Sequence, residues 1–351
     1  MIETYEEAID FLNGSDEMSF DESFDLSKYC SIGLRDFKTD DKARDIIIRV
    51  LDKISVVHPE TKILWHELVE ASGLYPYLNP IIHEFRDFNN DSTLLRYEYH
   101  KSPNLPDVYL HQEQLELLQE IMSGKSVVLS APTSFGKSLL IEEIIASNKF
   151  KNLVIIQPTL ALLDETRKKL SKYNDVYKIV YSTVQKPSEQ KGNIFLFTGE
   201  RVVEYKFFES VDFFVVDEFY KLSIDRGDDR AITLNHAFYK LLNFTDKFYL
   251  LGPNIKSIPE EFVSRFRPIW YNTDFKTVAI DEFELHNPDF KDKEIKKAEL
   301  FNLLDSLDTP TLIYCSSPSK ATELAREYAE KSSKLDLTDK ELLVSTSEWI
   351  S

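Results

Sequence analysis

Five short apolar runs punctuate the middle of this chain: Val127–Leu129, Leu153–Ile156, Ile194–Phe197, Phe213–Val216 and Phe248–Leu251. Each is too short for the buried face of a helix, and most are separated by stretches with apolar residues at helical spacing. Runs that lack polar alternation belong to strands covered on both faces, and helical crossovers between them make neighbouring strands parallel. The predicted class is therefore α/β, a parallel sheet with helices on both faces. Ligands of such sheets bind beyond the carboxyl ends of the strands.

The first run leads into Ala131-Pro132-Thr133-Ser134-Phe135-Gly136-Lys137-Ser138, and Leu139–Ile145 continues at helical spacing. Strand, tight loop and helix start together aim backbone N–H groups and a positive helix end at a phosphate chain. The loop Thr133-Ser134-Phe135-Gly136 would cradle phosphates, Lys137 would reach the β- and γ-phosphates, and the Ser138 hydroxyl would ligate Mg²⁺. The general phosphate-loop pattern has Gly at its first position, where this chain has Ala131. The fourth run ends in Asp217-Glu218-Phe219-Tyr220. Paired acids at a strand end suit Mg·ATP hydrolysis: Asp217 holds Mg²⁺ through water, and Glu218 polarises the attacking water.

Residues 1–104 show no strand alternation. Glu6–Leu12, Ala43–Ile54 and Thr61–Val69 carry apolar residues at three- and four-residue intervals, so a small helical domain is expected there. Lys101–Pro106, with two prolines, is the expected linker. Residues 105–285 form the nucleotide-binding α/β domain. In residues 286–351 a helical stretch, Ala298–Leu307, precedes a strand-like run, Thr311–Cys315, and a helix through Ala321–Ala329. This reads as the opening unit of a second α/β domain, too short to complete a covered sheet, so that domain is expected to be incomplete here.

Composition narrows the setting. No apolar stretch is long enough to span a membrane, the first residues are acidic rather than a basic-then-apolar leader, and Cys30 and Cys315 are the only cysteines. A reducing cytoplasm fits these features. The net charge of −18 counts against a surface that grips nucleic acid all over, but it permits a basic groove.

Over residues 107–330 the ordered motifs resemble those of superfamily 2 helicases of the DEAD/DEAH type. Gln114 stands where that family's adenine-reading glutamine falls. Ala131–Ser138 is motif I, Gln157–Glu165 motif Ia, Thr198-Gly199-Glu200-Arg201 the strand-binding motif, Asp217–Tyr220 motif II, and Ile313–Ser317 motif IV. Arg267-Pro268-Ile269 resembles the sequence closing the first motor domain in the branch of archaeal repair and exosome-linked helicases. The resemblance implies a RecA-like first motor domain, the start of a second, and ATP with Mg²⁺ as cofactors. It implies a single-stranded or partly duplex nucleic-acid partner, contacted at Pro158, Thr159, Thr198 and Arg201.

Two departures qualify it. The motif III slot reads Gly252-Pro253-Asn254-Ile255, leaving Asn254 as the polar side chain that relays phosphate state to the nucleic-acid groove. Motifs V and VI, with the family's arginine fingers, do not occur, so the chain is expected to bind ATP and hydrolyse it poorly. The variants at motifs II and III resemble those of prokaryotic defence helicases, in particular the helicase subunit of the Hachiman anti-phage system. That closer resemblance implies DNA rather than RNA and a partner nuclease. The alternative is an ATP-gated interaction module that controls an effector nuclease without processive unwinding.

Overall fold

The computed structural model describes residues 2–78, 91–223, 229–253, 255–281, 292–307 and 309–331. Residues up to Ile280 form one compact unit and those from Asp281 a second.

The first unit is built on a seven-stranded parallel sheet. Its strands are β1 (Val127–Ser130), β2 (Asn152–Ile156), β3 (Tyr177–Val180), β4 (Gly192–Phe197), β5 (Phe213–Asp217), β6 (Phe248–Gly252) and β7 (Ile269–Asn272), in the order β3-β4-β2-β5-β6-β1-β7. The five apolar runs are the five inner strands. The two edge strands escape such a reading because an edge is only partly covered. Lys178 of β3 is exposed, and no residue of β7 is fully buried.

Successive side chains of a strand alternate between faces, and the inner strands are apolar at both. Val127, Leu129, Phe213, Val215, Tyr249 and Leu251 enter one core; Val128, Phe214, Val216, Phe248 and Leu250 enter the other. The first core is covered by α6 (Gln112–Met122), α7 (Lys137–Ala146) and α8 (Leu160–Leu170). It runs on without a break into the N-terminal helices α1 (Tyr5–Gly14), α2 (Phe20–Gly33), α3 (Asp40–Asp52) and α4 (Lys62–Ala71). Leu12, Leu26, Ile46, Ile47 and Trp65 are their fully buried anchors. Thr4 and Ser19 start α1 and α2 with reciprocal capping boxes to Glu7 and Glu22, which satisfy two otherwise orphaned backbone donors at each end.

Between these helices and the sheet lies α5 (Asp91–Tyr99), followed by the proline-containing segment. That segment is docked: Ser102 Oγ and Asn104 Nδ2 (2.8 Å) both donate to the buried carboxyl of Glu143 in α7. The second core is covered by α9 (Gly199–Glu204), α10 (Asp229–Leu242) and α11 (Glu260–Phe266). Phe195, Phe197, Phe214, Phe238, Phe248, Phe262 and Phe266 fill it as a network of edge-on and tilted rings. Helices on both faces of a parallel sheet make this the α/β domain expected from the sequence.

The second unit contains α12 (Lys293–Ser306) and α13 (Pro318–Lys331), joined by the Phe301–Tyr328 ring contact (5.2 Å) and the Lys297–Glu327 ion pair (2.9 Å). The strand expected at Thr311–Cys315 does not form, and Leu312 and Tyr314 are 99% and 94% exposed. A strand exists through its ladder, and among the described residues of this unit no strand lies beside it.

Candidate nucleotide-binding site

At the carboxyl end of β1 the chain makes a single 3-10 turn, Thr133–Phe135, and enters α7 through Gly136. Gly136 has φ +83°, and a Cβ there would stand 2.5 Å from Gln114 Nε2. Positive φ and close approach both demand glycine. Gln114 is buried beneath the loop and engaged at both ends. Its Oε1 accepts from His111 N (2.9 Å), closing a capping box on α6, and its Nε2 donates to Phe135 O (2.6 Å). Phe135 offers the loop its backbone only, since its ring is fully buried. Thr133 and Ser138 are exposed at the loop's rim.

Lys137 folds back over the loop, donating to Ala131 O (2.9 Å) and Pro132 O (2.7 Å). Burial lowers its ammonium pKa, and the Asp217 and Glu218 carboxylates work against that shift. The acids of motif II stand at the same carboxyl end of the sheet as Lys137. The strand order explains it: β5 and β1 flank β6, with Asp217 opposite Leu251 and Ser130 opposite Gly252. Burial raises the Asp217 pKa, opposed by a hydrogen bond from Gln157 and by the Lys137 charge. Glu218 sits at φ +55° and pairs with Lys221. A left-handed non-glycine residue is uncommon and strained; here it turns the chain sharply out of β5.

Three buried polar atoms of this site lack hydrogen-bond partners: Ser134 Oγ, Gln157 Oε1 and Tyr249 OH. They are half of the six such atoms among the described residues. Burial, and then the nearby Asp217 carboxylate, push the Tyr249 phenol upward. An unpartnered buried polar group costs about 1–3 kcal/mol, which a water or a ligand oxygen reaching it would relieve. The hydroxyl of Ser138 and the carboxylate of Asp217 are hard oxygen donors of the kind Mg²⁺ takes, with phosphate oxygens and water completing its shell. No cluster of three or more His, Cys, Asp or Glu exists among the described residues, and a nucleotide-held Mg²⁺ needs none. The residues fit Mg·ATP.

The strand-binding candidates lie at the ends of β2 and β4. Thr159 caps α8, accepting from Leu162 N (3.3 Å), and is exposed; Pro158 beside it is half-buried. Thr198 caps α9, accepting from Arg201 N (3.5 Å), and is 9% exposed. Arg201 Nη1 donates to Tyr181 O (2.8 Å). The coupling candidate Asn254 lies outside the described residues. The slot around Asn254 is nonetheless tied to motif I, because Ala131 N donates to Gly252 O (3.1 Å) and Ile255 N to Ser130 Oγ (2.9 Å). Sequence reasoning missed Tyr249, whose hydroxyl looks like core packing in a run of apolar residues. It also missed Thr277, whose Oγ1 donates to Ser134 O (2.7 Å) from a segment without a motif.

Residues 1–90 match the anti-bacteriophage protein B N-terminal domain, and residues 111–242 match the DEAD/DEAH box helicase family. Anti-bacteriophage protein B of Escherichia coli (strain K12) is 35% identical over 336 residues, which are 93% of this chain and 45% of that protein. The chain thus spans less than half the length of this relative. Among solved structures, the DUF1998 helicase MrfA bound to DNA and AMPPNP aligns with a TM-score of 0.44 at 16% identity. That match covers 64% of this chain and 37% of the other. The Sulfolobus solfataricus SWI2/SNF2 ATPase core in complex with dsDNA aligns with a TM-score of 0.37 at 16% identity, over 66% and 58% of the two chains. Sheet, phosphate loop, paired acids and sequence matches converge: the chain carries an anti-bacteriophage protein B N-terminal domain followed by a DEAD/DEAH box helicase domain.

Proposed function

We propose that this chain is the ATP-binding part of a nucleic-acid-dependent ATPase of antiviral defence, and that Mg·ATP sits in the loop between β1 and α7. The observation that carries the reading is the strand register that sets the β1 loop with Lys137 beside the Asp217–Glu218 end of β5, across β6. Gly136 and the first turn of α7 present backbone N–H groups to the phosphates. Lys137 exchanges the Ala131 and Pro132 carbonyls for β- and γ-phosphate oxygens. Ser138, directly, and Asp217, through water, hold Mg²⁺, which when bound offsets phosphate charge. Gln157 keeps the Asp217 carboxylate aimed at that site. Glu218, once released from Lys221, orients the attacking water and accepts its proton. To read the adenine edge Gln114 gives up its bonds with His111 N and Phe135 O, with Thr133 and Phe135 shaping the loop.

The same reading assigns Pro158, Thr159, Thr198 and Arg201 to the sugar-phosphate backbone of a single-stranded or partly duplex strand. DNA is favoured over RNA, in line with the likeness to an anti-bacteriophage protein, and Asn254 links phosphate state to that groove. These 351 residues hold no counterpart of motifs V and VI. By themselves they therefore bind Mg·ATP and turn it over slowly. A helical accessory region (1–104), a first motor domain (105–285) and the start of a second (286–351) are the proposed divisions. The second reading, an ATP-gated module controlling a partner nuclease, draws on one observation: Glu218 is held by Lys221, so the resting site is not poised for hydrolysis.

Calorimetry with Mg·ATP tests the core of the reading. Wild-type protein should release binding heat, and Lys137→Ala should weaken binding at least a hundredfold, about 2.7 kcal/mol. Equal heats from both proteins would exclude a phosphate site at Lys137.

A further inference from the structure

Just past β7, residues 273–277 form a strap that touches the phosphate loop on one side and the N-terminal helices on the other. Thr273 N donates to Ser130 O (3.0 Å), carrying the β1–β7 ladder one bond further. Thr273 Oγ1 then accepts from Phe275 N (3.0 Å), and the chain turns so that the Phe275 ring enters the core, 2% exposed. That ring meets Phe135 of the phosphate loop edge-on at 6.3 Å and His111 at 5.6 Å. From the N-terminal side, the Arg44 guanidinium of α3 lies over it at 4.6 Å. Gly73 closes the layer: a Cβ there would stand 2.7 Å from the Gln112 side chain and 3.7 Å from the Phe275 ring.

Thr277 completes the link. Its Oγ1 donates to Ser134 O (2.7 Å), while its own carbonyl accepts from the Tyr77 hydroxyl. Tyr77 belongs to the short 3-10 turn Tyr75–Leu78 that follows α4. A peptide group is a rigid plane. Anchoring the Ser134 carbonyl therefore fixes the middle of the phosphate loop from outside the loop. The chain of contacts Tyr77–Thr277–Ser134 begins in the N-terminal helical region and ends in the loop, without passing through any nucleotide-contacting side chain.

We propose that Thr277 is a positioning residue for the phosphate loop and that Tyr77 couples it to the N-terminal helical region, so that this region sets nucleotide affinity. The inference rests on the reading that the loop takes Mg·ATP. Coupling of this kind is reciprocal. Whatever engages the N-terminal helices and displaces Tyr77 loosens nucleotide, and bound nucleotide changes affinity for that partner by the same factor.

Thr277→Val and Tyr77→Phe each delete one donor with little change of shape, and Thr277→Ser restores the hydroxyl. The readouts are Mg·ATP affinity by calorimetry, amide hydrogen exchange over residues 131–138, and the urea midpoint as a check on global stability. Thr277→Val and Tyr77→Phe should each weaken binding about three- to tenfold, the scale of one hydrogen bond. The double variant should lose less than the product of the two, because both act on one link. Thr277→Ser should bind as wild type, and exchange over 131–138 should quicken in the first two variants. Multiplicative losses in the double variant, or unchanged exchange in the loop, would overturn the proposal. Hydrogen exchange needs no nucleotide and keeps the two readings apart. If wild type shows no Lys137-dependent binding yet the loop exchanges faster in both variants, the strap stands and the nucleotide assignment falls.

Discussion

The carboxyl ends of β1 and β5 and those of β2 and β4 differ in how their polar groups are used. Around the β1 and β5 ends the site keeps unmet demand: Ser134 Oγ after β1, Gln157 Oε1 at the side of β2 next to β5, and Tyr249 OH of the intervening β6 are buried and unpartnered, and Lys137 rests on its own loop's carbonyls. At β2 and β4 the hydroxyls of Thr159 and Thr198 are already helix caps, and Arg201 already donates to Tyr181 O. The first pair of ends carries an energetic cost that a ligand can relieve. The second is locally satisfied, and a strand bound there must compete with capping or share it. Nucleotide binding is thus prepared in the fold, whereas strand binding requires local exchange of partners.

The sharpest blow to this contrast falls on Glu218. If Glu218 is the base proposed above, Glu218→Gln should slow ATP turnover by about 10²–10⁴-fold, the range for loss of a positioned base, with Mg·ATP affinity preserved. Equal losses of turnover and affinity would make Glu218 a binding group and blur the division of labour.

Gly136→Ala comes next. With φ +83° and Gln114 Nε2 at 2.5 Å from the added Cβ, it should cost about 1–3 kcal/mol in urea unfolding. A neutral substitution would mean that the loop is less constrained than its capping partner Gln114 indicates.

Asp217→Asn separates burial from charge. Burial raises the folded-state pKa of Asp217, so its stabilising protonated form is fully present below the unfolded value of about 3.9 and is lost as pH rises through the folded one. Asparagine stays neutral. The variant should therefore gain stability over wild type as pH rises above the carboxylate range, and the gain should vanish in acid. Parallel urea curves at the two ends of that range check the sign, and a gain confined to acid would reverse the argument.

The smallest effects belong to the other strand ends. Thr198→Ala should cost about 1 kcal/mol of stability through the lost cap. Arg201→Ala should flatten the salt dependence of nucleic-acid binding by about one unit. If Thr198→Ala weakened strand binding as strongly as Lys137→Ala weakens nucleotide binding, the two pairs of ends would be equally prepared and the contrast would break.

Legibility followed burial. The inner strands were readable because both of their faces are apolar, and β3 and β7 were not, because edges have one neighbour and mixed exposure. The run Thr311–Cys315 has the composition of an inner strand, yet it stands without a ladder, with Leu312 and Tyr314 almost fully exposed. Local pattern reports what a segment tolerates; pairing is a property of its neighbours. In the candidate site, Gly136, Lys137 and Asp217 were legible from type and spacing. Tyr249 and Thr277 were not, since one hides in an apolar run and the other lies in an unremarked loop.

What the sequence by itself determined is local: helical and strand periodicity, the glycine-dependent bend before Lys137, and the acidic exit of β5. These depend on sterics and hydrogen bonds within a few residues. Only the tertiary structure decided that β6 lies between β1 and β5, which brings Lys137 to the motif II acids, and that Thr277 and Tyr77 tie the phosphate loop to the N-terminal helices. Those juxtapositions join residues far apart in the chain. They follow from how whole faces bury against one another, which no short window of sequence contains.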